Sequence, residues 1–100
     1  MTGPEVRRVR SDFGLDPQLF AKLLGVHPST LYRWEQSAAA LRVEPFQRQL
    51  LALLRHELDE RAPPDRERLA ADVTTALLFG GGLRGLFVLL RAAFGKRDYS

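Results

Sequence analysis

The sequence predicts an all-α protein: an N-terminal bundle built around two short helices, then a C-terminal two-helix hairpin that serves oligomerisation. Three observations predict it. Apolar residues recur three and four positions apart, the repeat of a helix face, and almost never alternate. Asp16-Pro17, His27-Pro28 and Glu44-Pro45 each set a polar residue before a proline, which fits a first helical position where a missing N–H costs nothing. Ala62-Pro63-Pro64 and Gly80-Gly81-Gly82 then cut the second half into two segments.

The first helix is predicted over Glu5 to Phe13, with Val6, Val9 and Phe13 on one stripe and Gly14 as a left-handed stop. The second starts after Asp16 and runs from Pro17 to Leu24, ending at Gly25. The third opens at Pro28, with His27 as its half-in residue, and runs to about Gln36. Ser37 to Val43 is softer. From Pro45 a fourth helix carries a stripe of Phe46, Leu50, Leu53, Leu54 and Leu58. Ala62-Pro63-Pro64 is the one linker, dividing residues 1–61 from a dimerisation element at residues 65–100. Asp65 caps a fifth helix running to about Phe79, with Leu69, Val73, Ala76 and Leu77 inward. The last helix, Leu83 to Phe94, has only Arg84 and Arg91 as charges, on one narrow stripe.

Composition narrows the function. The net charge of +3 favours an anionic partner mildly. Residues 1–55 hold eight Lys/Arg against five Asp/Glu, whereas residues 56–75 hold three against six, so only part of the surface suits a polyanion. Without cysteine there are no disulfides, thiolate metal sites or thiol chemistry. No charged-then-apolar leader opens the chain, and a cytoplasmic protein is expected. Catalysis has no visible machinery: His27 and His56 lack metal-ligand spacing, and GGGLRG lacks the strand and lysine of a phosphate cradle. Neither an enzyme nor a cofactor is expected.

Pro17 to Gln36 carries the functional reading. Two short helices joined by about three residues containing a glycine describe a helix-turn-helix. Ala21 is small where the helices approach, and Gly25 can take a positive φ in the turn. Phe20, Leu24, Val26, Leu31 and Trp34 form the apolar seam, which leaves Pro28, Ser29, Tyr32 and Arg33 facing away from the core.

The stretch LFAKLLGVHPSTLYRWE resembles the lambda-repressor/Cro-like (xenobiotic-response-element type) family of helix-turn-helix DNA-binding domains, and the likeness extends back through Arg10 and weakly forward to Leu54. The resemblance implies a lambda-repressor-like bundle whose third helix enters the major groove of double-stranded DNA. It assigns Pro28, Ser29, Tyr32 and Arg33 to base contacts, with Arg33 the best candidate for a bidentate contact to guanine. Gln18, Lys22, His27, Gln36 and Arg42 become phosphate-contact candidates, and Arg10 with Glu35 a structural ion pair. Gln36-Ser37 stands where the family has Asn-Gly, and AAALRVE intervenes before Pro45.

The C-terminal segment has two readings. A helix apolar on most of its circumference needs cover, and a second copy would supply it through Leu77, Leu83, Leu86, Phe87, Leu90 and Phe94. A homodimer would also read a palindromic operator, as expected of a transcriptional repressor. Alternatively the segment lies on a membrane surface with Lys96 and Arg97 near headgroups, although three consecutive glycines and two arginines weigh against a spanning helix. The rival to DNA binding is a helical adaptor whose C-terminal helices bind a regulatory protein partner. Arg33 and Tyr32 would then be solvated helix residues.

Overall fold

The computed structural model describes residues 1–95; Lys96 and Arg97 lie outside them. Among the described residues there are five helices and no strand: α1 (Gly3–Phe13), α2 (Pro17–Leu24), α3 (Pro28–Gln36), α4 (Pro45–Glu60) and α5 (Pro63–Gly95). The start of α1 falls two residues earlier than predicted. Thr2 is its N-cap and its N–H donates to Glu5 Oε2 at 3.2 Å, while Gly3 and Pro4 occupy first-turn positions that need no N–H partner. In α2, Asp16 Oδ1 accepts from Gln18 N at 2.8 Å, and Gly25 ends the helix at φ 73°.

The stop expected at Ala62-Pro63-Pro64 holds, since α4 ends at Glu60, but the same prolines also open α5, so Asp65 lies in its first turn rather than at its cap. Only Arg61 and Ala62 separate α4 from α5, because two prolines in a first turn sacrifice only N–H groups without helical acceptors. Likewise the triple glycine breaks α5 at one residue, Gly81 (φ 79°, ψ −168°), a conformation only glycine adopts readily. There the chain reverses. A straight helix of this length would reach about 50 Å at about 1.5 Å per residue, longer than the 40 Å of the whole molecule. The returning limb brings the Ala92 carbonyl to Arg61 Nη2 at 3.3 Å and Gly85 against the Leu77 side chain.

The linker does not divide two cores. One buried cluster runs from Val6, Phe13, Phe20 and Leu24 through Leu51 and Leu54 to Val73, Leu77 and Leu89. The most extensive helix contact is between α5 and α2, across the expected boundary. Gly82 makes that approach possible, since a Cβ there would lie 2.6 Å from the Lys22 carbonyl oxygen at the end of α2. Leu77 is wholly buried inside the protomer, so its expected place in a dimer contact is corrected: it faces Gly85 of the returning limb. On α4, Leu51 joins the core and Leu53 is half-buried. Phe46 is 50% exposed, because the predicted stripe is split between the core and a groove beside α5.

α5 is long and apolar enough to cross a membrane by length and composition, with a mean hydropathy of 1.7 over its most apolar window. The break at Gly81 leaves limbs of residues 63–80 and 82–95. At about 1.5 Å per residue, the described part of the second limb spans about 21 Å, against about 30 Å for an apolar layer.

Candidate nucleic-acid interface

The local chemistry of α3 begins at its cap. His27 Nδ1 accepts from Ser29 N at 3.1 Å and lies 2.8 Å from Ser29 Oγ. An imidazole nitrogen that accepts a backbone N–H carries no proton, so Nε2 is the donor available to an outside acceptor. Pro28 at the first helical position fixes φ and surrenders a donor that had no acceptor. Leu31, 1% exposed, pins the helix to the core, and Trp34 packs half-buried on the same side. Pro28, Ser29, Tyr32, Arg33 and Gln36 are all exposed.

That exposed face is held in orientation by an ion pair. Arg10 Nε donates to Glu35 Oε2 at 2.8 Å and Arg10 Nη2 to Glu35 Oε1 at 2.9 Å, a two-pronged contact between α1 and α3. The two side chains are 18% and 9% exposed. These hydrogen bonds raise the guanidinium pKa above its ordinary value despite the opposing cost of burial; the charges of Glu35 and Asp16 act in the same direction as the bonds. With its carboxylate neutralised in this way, Glu35 adds little net negative charge beside α3. The structure therefore brings Arg10 and Glu35 together as the resemblance implied.

A shallow concavity of about 200 Å³ lies where α1, the start of α2 and the outer side of α3 meet; Arg7, Pro17, Tyr32 and Gln36 are among the residues that line it. Two of the base-contact candidates are engaged within their own helix. Ser29 belongs to the His27 cap, and Arg33 Nη2 donates to Thr30 Oγ1 at 3.3 Å. The second is a long, exposed bond that an external acceptor can replace.

The phosphate candidates are spread widely. Gln18 is exposed at the start of α2, where the carboxylate of Asp16 already takes its backbone N–H. Lys22 is exposed at the other end of α2, against Gly82 of α5. Gln36 closes α3 beside Arg7, and Arg42 is exposed in the extended segment before α4.

Of the expected dimer contacts, Leu83 (83%) and Phe87 (64%) are strongly exposed and Phe94 is half-exposed, while Leu86 and Leu90 are partly covered. Two supports of the site had no role in the sequence reading. Gln47 Nε2 donates to the Leu24 carbonyl at 3.3 Å and so ties α4 to the end of α2. Arg61 Nη2 donates to Glu57 Oε1 at 3.1 Å and to the Ala92 carbonyl, joining α4 to the end of α5. The spacing of four between Glu57 and Arg61 was readable as a helical pair; the 3% exposure of Glu57 was not.

Comparison with known proteins finds no matching family model, no matching curated protein and no matching solved structure.

Proposed function

We propose that this chain is a sequence-specific double-stranded DNA-binding regulator of transcription, acting in the cytoplasm as a homodimeric repressor on a palindromic operator. In this reading α2, the turn Gly25–His27 and α3 are the helix-turn-helix of a lambda-repressor-like bundle, and the two limbs of α5 are its oligomerisation hairpin. One observation carries it. A short helix is fixed to its bundle by Leu31 and by the Arg10–Glu35 fork, yet turns Pro28, Ser29, Tyr32, Arg33 and Gln36 to solvent. A rigid helix with a free polar face is what insertion into a major groove requires. Arg33 is the chief base reader, with Tyr32 against a thymine methyl and Ser29 serving a base or phosphate. His27 Nε2, Gln18, Gln36 and Arg42 hold the phosphate backbone, and Lys22 holds it only if the strand passes the end of α2. No catalytic role and no cofactor are proposed.

The test is duplex binding as a function of salt. Several phosphate contacts should make affinity fall steeply between about 50 and 200 mM salt as counterions are released. Affinity insensitive to salt would instead favour the second reading, a helical adaptor for a regulatory protein. A specific observation favours that reading: Phe79, Leu83 and Phe87 expose 86%, 83% and 64% of their surface around the bend of α5.

A further inference from the structure

The second limb of α5 is apolar on both sides. Gly85 and Leu89 face the core of the protomer; on the other side stand Leu83 and Phe87, both strongly exposed, and Leu90 and Phe94, which also line the groove beside Phe46 of α4. The intervals between those four residues are four, three and four, the alternation of a two-stranded seam in which Leu83 and Leu90 take one core position and Phe87 and Phe94 the other. Arg84 and Arg91 both follow a leucine of the seam and so lie on one flank. Leu86 and Ala93 lie on the other.

We propose that this seam pairs with the same seam of a second copy, limb beside limb and parallel, on a two-fold axis running along it. The inference rests on the dimer half of the reading above and is independent of DNA. Area supports the occupant. At about 150–250 Å² for a whole aromatic side chain and slightly less for a leucine, the exposed fractions of Leu83, Phe87 and Phe94, with the partly covered Leu86 and Leu90, come to roughly 430 Å² per protomer, and Phe79, across the bend on the first limb, would add about 170 Å². A stable interface of ordinary size takes about 800 Å² from each partner, and a polar rim supplies the difference.

Charge selects the direction. An antiparallel pairing sets Arg84 beside the partner's Arg91 on the same side of the seam, twice over; the limb itself carries no carboxylate, and Asp72 of the first limb is the one acidic residue lining the concavity that both arginines line. A parallel pairing lays the two arginine stems across the partner's Leu86 and the partner's Ala93, burying their methylenes while the guanidinium groups stay in water.

The absence of cysteine from the chain makes the direction measurable. Leu83→Cys and Phe94→Cys are made singly, oxidised mildly, each alone and then mixed. In a parallel dimer Leu83→Cys cross-links to itself. In an antiparallel one the two copies of position 83 are separated by about 16 Å along the axis, beyond the reach of a disulfide, and only the mixture cross-links. Sedimentation of the unsubstituted chain should show a dimer. Leu83→Asp should weaken that dimer about 100-fold or more with unchanged helical circular dichroism, because this side chain is 83% exposed in the protomer.

A chain still monomeric at about 100 μM overturns the proposal. So does cross-linking confined to the mixture, or a monomer that floats with phosphatidylglycerol-containing vesicles. A dimer that cross-links through Leu83→Cys but binds no duplex leaves this inference standing and removes the DNA reading. Duplex binding by a monomer does the reverse.

Discussion

Arg10 on α1 grips Glu35 on α3 through two parallel hydrogen bonds of 2.8 and 2.9 Å, from a position where the two side chains keep only 18% and 9% of their exposure. The pair joins the first helix to the one whose outer face is free. Breaking it leaves one mostly desolvated charge without its partner, so Arg10→Ala and Glu35→Ala should each lower stability by about 2–3 kcal/mol in urea unfolding. A cost below about 0.5 kcal/mol would place the pair among ordinary surface bridges.

The pH dependence of that cost has a definite sign. Arg10 is shifted upward, so its contribution is complete below arginine's ordinary range and is lost only as pH rises through the still higher folded value. The stability difference between the unsubstituted chain and Arg10→Ala should therefore be unchanged, on the arginine's account, between about pH 6 and 9. Unfolding curves at those two values check it, and a fall on the alkaline side would contradict the assignment.

Arg33 and Lys22 separate base reading from backbone holding. Arg33→Ala should cost about 1–3 kcal/mol on a preferred duplex and little on a random one, flattening base preference at one position. Lys22→Ala should weaken both duplexes alike; no loss on either would take Lys22, which sits beside Gly82 rather than on α3, out of the backbone contacts. Equal losses on both duplexes for Arg33→Ala would remove it from the readout role.

Arg61 and Glu57 are the most buried ion pair among the described residues, with side chains 15% and 4% exposed. Arg61→Ala strands the Glu57 carboxylate and frees the Ala92 carbonyl, and should destabilise by about 3 kcal/mol or more. Replacing both residues by apolar ones of similar volume, Glu57→Leu with Arg61→Met, should recover most of that loss. Thermal denaturation of the single and double variants decides it.

Gly82 sits with its open side on the Lys22 carbonyl oxygen, 2.6 Å from where a Cβ would be. Gly82→Ala must push α5 off α2 and should cost about 1–3 kcal/mol. A neutral melting temperature would mean that α5 does not seat on α2 in solution.

What could be read from the sequence was local chemistry. Asp16 before Pro17 and His27 before Pro28 place the starts of α2 and α3 because caps and prolines act within one turn. The inward face of the first α5 limb was legible for a similar reason: Leu69, Val73, Ala76 and Leu77 share a helical stripe and are all buried. What covers a stripe was not legible. Leu77 was expected to meet another copy and meets Gly85 instead, since periodicity identifies an apolar side without naming its partner. The prolines after Ala62 mark the end of α4 as expected, but they also open α5 ahead of Asp65, because a proline that ends one helix fits the first turn of the next equally well. Arg10–Glu35 was legible by resemblance; Gln47 and Arg61 were not, because a polar side chain buried at a helix junction looks like a solvated one until the helices are in place.

Whether α3 reads a base sequence is decided by selecting bound sites from random-sequence duplex. At about 50 mM salt a short motif repeated with two-fold symmetry should be enriched, its half-sites about one helical turn apart. Recovery of unenriched sequence, with retention no better than that of an inert basic protein, would contradict base reading by α3.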